Sequence, residues 1–257
     1  MELHHKILGH GDPVIVLHGL FGTLDNWQTV GRLLGEDYQV FLVDQRNHGR
    51  SPHIPEHSFQ GMADDLGFFM EFNWIHHTHL LGHSMGGKTA MQFALHHPEK
   101  VGKLVVVDIG PKSYPGGHEQ IFEALQSIDL SKVAEREQVE AHLRGYISEN
   151  GIVQFLMKNL SRSKDGVYHW KMNLPVLYDH YSELLREVKS DTPFEGPALF
   201  IRGERSRYIL DEDWPHILNL FPNAKLATVA GAGHWVHADA PLELLRLVRD
   251  FFRNGVS

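Results

Sequence analysis

Apolar residues along the 257-residue chain fall into two alternating patterns. Short β-branched runs at Pro13-Val14-Ile15-Val16-Leu17, Gln39-Val40-Phe41-Leu42-Val43, Thr78 to Leu81, Lys103 to Asp108, Ala198 to Ile201 and Lys225 to Val229 predict buried strands. Between them, Trp27 to Leu34, Phe59 to Phe72, Met85 to His97 and Pro241 to Phe252 carry helical spacing, with Asp239 placed to cap the last helix. Strand, helix, strand in this order predicts a mostly parallel central sheet with right-handed crossovers, flanked by helices: an α/β architecture. From Lys112 to about Asp191 the alternation stops. Helical stretches near Gln120 to Gln126, Glu135 to Ile147, Ile152 to Asn159 and Pro175 to Val188 take its place. Residues 112–191 are therefore expected to form a helical cap inserted in a core made of 1–111 and 192–257.

Composition narrows the function without deciding it. Twenty-four basic against 32 acidic residues, net −8, with no basic stripe, argues against a nucleic-acid partner. The absence of cysteine excludes disulfide and thiolate chemistry and agrees with a reducing compartment. Met1-Glu2-Leu3-His4-His5-Lys6 lacks the apolar core of a signal peptide, and no apolar run reaches membrane-spanning length, so a cytoplasmic location is expected. The 20 histidines include short clusters (His4-His5, His76-His77 with His79, His96-His97), but none has metal-site spacing, so no metal is expected.

The chemistry concentrates at Leu80-Leu81-Gly82-His83-Ser84-Met85-Gly86-Gly87. A serine forced into a sharp strand-to-helix turn crowds the neighbouring backbone, so Gly-x-Ser-x-Gly spacing has a steric cause. The following helix aims free N–H groups at any charge that develops beside Ser84. Gly82 to Thr89 also fits Gly-x-x-x-x-Gly-Lys-Thr, a phosphate-binding loop for which Asp108 would help hold magnesium. Such loops usually follow the first strand of a domain, whereas this one follows several. In a sheet of this kind ligands bind outside the carboxyl ends of the strands. Ser84, Asp108 and His234, in Gly231-Ala232-Gly233-His234-Trp235, all fall there. Serine needs a base to become a nucleophile, and that imidazole needs an acceptor.

His18-Gly19-Leu20-Phe21-Gly22, Asp44-Gln45-Arg46-Asn47-His48-Gly49-Arg50-Ser51, Gly82-His83-Ser84-Met85-Gly86-Gly87-Lys88 and Gly231 to His237 together resemble the α/β-hydrolase superfamily, and within it the small YbfF-type serine esterases, over nearly the whole chain. The resemblance implies a carboxylesterase for short to medium acyl groups, with acyl-CoA thioesters as the alternative substrate, no metal and no organic cofactor. It implies Ser84 as nucleophile and His234 as base, with the backbone N–H groups of Met85 and Leu20, or Phe21 in place of Leu20, as oxyanion donors. Many relatives put the acid just after the strand ending at Gly203, but this chain has Ser206 there. Asp108, 24 residues after Ser84 on the neighbouring strand, is then the expected acid; Glu204, Asp211 and Asp179 are the alternatives. Asp44, Arg46 and Ser51 are expected to order their own loop. Trp235, Phe155, Leu156, Tyr178 and Tyr208 are the candidate pocket walls, set against ordinary core packing. A fold retained for binding without hydrolysis is the competing function class.

Overall fold

The computed structural model describes residues 1–254. In chain order the strands are β1 (His5–Leu8), β2 (Pro13–Leu17), β3 (Gln39–Val43), β4 (Thr78–His83), β5 (Val101–Val107), β6 (Leu160–Arg162), β7 (Tyr168–Trp170), β8 (Ala198–Gly203) and β9 (Ala224–Val229). Seven of them form one sheet in the order β1-β3-β2-β4-β5-β8-β9. All neighbouring pairs are parallel except β1 with β3. Strand β1 has no counterpart in the sequence reading. It is an edge strand whose His5, Lys6 and Ile7 are only partly buried or exposed, so it lacks the apolar run that marks the interior strands.

The period-two rule decides which residues face which layer. Val14, Val16, Val40, Leu42, Leu81, Val105 and Val107 point to one side and pack on α1 (Gln28–Leu34) and the C-terminal helix. Ile15, Leu17, Phe41, Val43, Leu80, Leu104 and Val106 point to the other. There they meet α2 (Phe59–Phe72) and α3 (Met85–His96).

Between β5 and β8 the chain forms α4 (Glu119–Gln126), α5 (Arg136–Arg144), α6 (Asn150–Met157), α7 (Leu174–Asp179) and α8 (Tyr181–Leu184), with β6 and β7 as an antiparallel hairpin. Two expectations change here. The stretch from Pro175 to Val188 is not one helix: it breaks at His180 and stops at Leu184. Beyond that point Val188 N–H donates to Pro111 O at 2.7 Å, hooking the chain back to the end of β5. The hairpin also interrupts what read as helix and loop. Its Asp165-Gly166 turn, with Gly166 at φ +88°, was the available signal.

The remaining helices are α9 (Trp214–Leu220), α10 (Val236–Asp239) and α11 (Pro241–Asn254). Leu244, Leu245, Val248, Phe251 and Phe252 give α11 its buried stripe. Asp239 does not cap it. That residue ends α10, and its carboxylate accepts from Gly233 N–H at 2.7 Å, bracing the loop that carries His234. No described helix is long and apolar enough to cross a membrane.

Candidate active site

Ser84 sits between β4 and α3 with φ +52° and ψ −119°, a conformation that side chains other than glycine rarely take. Such a residue costs on the order of 1–3 kcal/mol and persists only when its surroundings fix it. Here they do. A β-carbon at Gly82 would lie 2.3 Å from Gly86 O, and one at Gly86 would lie 2.4 Å from Leu17 O, so both must be glycine. The sheet ladder also runs one residue past each strand: Ser84 N–H donates to Val107 O at 3.0 Å and Asp108 N–H to Ile201 O at 2.7 Å. Asp108, at φ +52°, turns just as sharply off β5.

The three side chains meet in one line. His234 Nε2 is 3.1 Å from Ser84 Oγ, and His234 Nδ1 is 2.7 Å from Asp108 Oδ2. Since the carboxylate accepts at Nδ1, the proton belongs there and Nε2 is left free to take the serine's. Asp108 is fully buried. Its Oδ1 accepts from Gly203 N–H at 3.0 Å, and its Oδ2 accepts from Ser206 Oγ as well as from the imidazole. The Tyr208 ring stacks on His234 at 4.0 Å, and His83 Nε2 donates to His234 O at 2.9 Å.

Other histidines line the surroundings of His234, and burial keeps them neutral. Desolvation holds His83 well below the ordinary imidazole range and His237 at about 3. His118, whose Nδ1 lies 2.7 Å from the Tyr181 hydroxyl, is lowered to about 4 by the same cause. No neighbouring imidazolium therefore opposes a positive charge on His234 near neutral pH.

Two narrow cavities of about 40 and 20 Å³ meet at Ser84. The first runs between Met85, Ile109, Tyr114, Leu184, Leu185 and Tyr208. The second runs between Phe21, Ile121, Ile152, Phe155, His234 and Trp235. Leu20 and His118 border both. A larger polar cleft of about 660 Å³ between β1 and the β6–β7 hairpin includes none of Ser84, His234 and Asp108 among its walls.

Residues 12–241 match the family model for the alpha/beta hydrolase fold. The chain belongs to the α/β-hydrolase family. It is similar to Esterase YbfF of Escherichia coli K12, 37% identical over 246 residues that cover 95% of this chain and 94% of that one. It is also similar to an sn-1-specific diacylglycerol lipase of Danio rerio, 37% identical over 256 residues, covering 95% of this chain and 80% of the relative. Among solved structures, a marine microorganism esterase superposes with a TM-score of 0.96 at 43% identity, covering 97% of this chain and 99% of the other.

Within this α/β-hydrolase the remaining candidates separate. Phe155 and Trp235 face each other at 5.8 Å on the second cavity, and Tyr208 lines the first. Leu156 and Tyr178 line neither. Leu156 is fully buried in the hydrophobic cluster of the α4–α8 segment, and Tyr178 is 52% exposed with its ring on Phe122. Periodicity had marked the apolar face of each helix but not what that face meets. Glu204 accepts from Gly231 N–H, Asp211 pairs with Arg202, and Asp179 is exposed on α7, so none of these carboxylates is bonded to His234. Leu20 lies in the tight turn closed by Gly22 N–H on Gly19 O at 2.9 Å, beside Met85 at the start of α3. Phe21, at φ +59°, gives its carbonyl to Asn159 Nδ2 and its ring to Phe122 at 5.0 Å.

Asp44, Arg46 and Ser51 bind inside their own neighbourhood. The Asp44 carboxylate accepts from Leu24 and Arg50 N–H, Arg46 pairs with Asp65 at 2.5 Å, and Ser51 Oγ donates to Asp44 O. Two side chains that a phosphate loop would use bond to the backbone instead. Lys88 Nζ donates to Arg186 O and Thr89 Oγ1 to Met85 O. Sequence reasoning missed the side chains that finish the site: Ser206 on Asp108, and His118, Tyr114 and Tyr181 around the first cavity. Ser206 was visible only as a missing aspartate; the other three lie in or beside the segment whose path the strand pattern does not set.

Proposed function

We propose that Ser84, His234 and Asp108 form the catalytic triad of this carboxylic ester hydrolase, with short to medium acyl esters as its substrates and acyl thioesters as a second class. The observation that carries the reading is the hydrogen-bonded line from Asp108 through His234 to Ser84 at the junction of two narrow cavities. His234 Nε2 takes the Ser84 proton as Oγ attacks the ester carbonyl. The oxyanion is held by the N–H groups of Met85 and Leu20, with Phe21 the substitute for Leu20. The imidazolium, steadied by Asp108, then protonates the departing alcohol or thiol. Water attacks the acyl carbonyl as His234 takes its proton, and the imidazolium returns that proton to Ser84 Oγ as the acyl–oxygen bond breaks and the free acid leaves.

The leaving atom must receive its proton from His234, so the alcohol side belongs in the cavity His234 lines, with Phe155 and Trp235 as walls. The acyl chain then occupies the first cavity, whose small volume favours short chains. Residues 112–191 serve as the cap, and neither metal nor organic cofactor takes part. The test is treatment with a fluorophosphonate, followed by intact mass and peptide mapping, alongside p-nitrophenyl butyrate turnover. A single adduct on Ser84 with loss of turnover is expected; an inert protein without turnover would leave a binding module instead.

A further inference from the structure

The first cavity holds one cationic side chain that the proposed cycle does not use. Lys88 stands one helical turn beyond Ser84 on α3, is 1% exposed, and lines that cavity. Its Nζ lies 4.9 Å from the centre of the Tyr114 ring and 5.4 Å from that of Phe59, and it donates to the backbone carbonyl of Arg186. Among the described residues no carboxylate stands within ion-pairing distance of it. An ammonium carries three donors, and the structure accounts for one of them. Burial lowers the Lys88 pKa to about 7, against the opposing pull of Glu187, which is itself paired with Lys189 at 2.7 Å.

A cation buried without a counter-charge is costly, and a hydrocarbon of similar volume would fill this position more cheaply. The charge-assisted tie to Arg186 O and the Tyr114 and Phe59 rings under Nζ offset only part of that cost. Near pH 7 a lysine held at about 7 is about half protonated, so a ligand carboxylate meets an ammonium whose dehydration folding has partly incurred and draws the remaining amine into that form. The pair then forms with the ligand carboxylate's own desolvation as the main remaining cost. Ser84 and Lys88 line the same small cavity of about 40 Å³, which suits a short chain with a reacting carbonyl at one end and an acceptor at the other.

We propose that Lys88 is a specificity-determining residue that binds a carboxylate at the far end of the acyl chain, so that half-esters of short dicarboxylic acids are preferred substrates. This rests on the ester-hydrolase reading and specifies its acyl group. The experiment compares kcat/KM for methyl hydrogen glutarate and methyl pentanoate, matched in chain length, in the wild type and in Lys88→Met and Lys88→Gln. The wild type is expected to favour the half-ester by about tenfold or more, the gain of one charge-assisted contact. In either variant the ratio of the two constants falls by a similar factor.

A wild-type preference for methyl pentanoate overturns the assignment without any variant. So does a ratio unchanged in Lys88→Met, because a lysine that merely ties α3 to Arg186 would alter both esters in step. Turnover of p-nitrophenyl butyrate in the same preparation separates the two levels. If it persists while the half-ester is refused, only the role of Lys88 falls; if it too is absent, the esterase reading falls with it.

Discussion

Around Asp44 and around Leu156 the same chain is held in two different ways. The loop from Asp44 to Ser51 is a lattice of directional bonds: Asp44 gathers two backbone N–H groups, Gln45 N–H donates to His18 Nε2 at 3.0 Å, and Asn47 side-chain atoms reach Ile54 N and Glu56 O. The segment between β5 and β8 is instead a small oily core of its own, with Phe122, Val139, Leu143, Val153, Leu156 and Leu177 inside it. A few polar tethers dock it. Asn159 reaches Phe21 O, Asn173 N–H donates to Asn47 O at 2.8 Å, and the Tyr114 hydroxyl donates to Tyr208 O at 2.7 Å. Hydrogen bonds are sensitive to angle and distance, whereas apolar packing tolerates exchange at constant volume. The groups assigned to bond-making therefore sit in the first kind of region, and most walls of the acyl cavity come from the second or from its margin.

The sharpest break of that contrast is at the reacting atoms. Ser84→Ala and His234→Ala should each cost on the order of 10⁴-fold or more in kcat for p-nitrophenyl butyrate, with thermal midpoints near wild type. Survival of a tenth of the activity in either would remove the triad. Asp108→Asn should cost on the order of a thousandfold, since an amide offers His234 the wrong partner. Ser206 gives this variant a further arm. Its hydroxyl and the His234 ring share Asp108 Oδ2, so a carboxylate at 206 stands next to the imidazole. Adding Ser206→Asp to Asp108→Asn should recover part of the loss. No recovery in a folded double variant would mean that the acid works only from β5.

The same division governs how much of the fold is legible in the sequence. The interior strands were legible because Val14 to Leu17 or Val105 to Val107 must be apolar on both faces, and runs this short and this rich in valine and isoleucine favour strand over helix. The glycines at 82 and 86 announced the turn because no other residue fits. Ser84, Asp108 and His234 could be brought to one edge because strand ends converge whatever the details between them. Strand β1 was hidden by its polar, exposed edge, and the break at His180 by apolar spacing that continues through it. Ser206 was seen only as a departure from the usual acid. For Leu156 the period was right and the partner wrong, since a helical stripe cannot say whether it faces a cavity or its own neighbours.

Acid should attack the first region. His57 and His237, both buried and each held at about 3 chiefly by desolvation, are neutral in the folded chain, as is His48, which burial lowers well below the usual value. Unfolded histidines bind protons near pH 6.5, so between about 3 and 6.5 the unfolded state holds more protons and stability falls as pH falls. It is fully present above that window. His57 and His237 alone account for about 3 kcal/mol lost between pH 6.5 and 5. Urea midpoints measured at pH 7.5, 6 and 5 should drop steeply; a flat series would mean these rings are protonated within the fold. Leu156→Ala probes the second region, at about 3 kcal/mol for a buried leucine truncated to a cavity. Proteolysis should then begin within 112–191, and kcat/KM should fall severalfold while the fluorophosphonate still labels Ser84. Loss of labelling would show that the two regions are not separable.

The smallest effect is expected at Tyr178, where the contrast can be sharpened most cheaply. Its ring rests edge-on against Phe122 at 5.4 Å, but the residue is 52% exposed and borders neither cavity at Ser84. Tyr181, three residues on, does line the first cavity and holds His118 through its hydroxyl. Two tyrosines on consecutive short helices thus pack on the same phenylalanine, Tyr181 at 5.1 Å, and only Tyr181 lines the first cavity. Tyr178→Ala should leave kcat/KM within about twofold and cost at most about 1 kcal/mol, in the range of a lost aromatic contact. Tyr181→Phe keeps the ring and removes the hydroxyl that steadies His118, so it should change KM for acyl esters of graded length more than Tyr178→Ala does. If Tyr178→Ala gives the larger change, the acyl chain leaves the cavity past α7, and the boundary drawn between wall and outer surface moves with it.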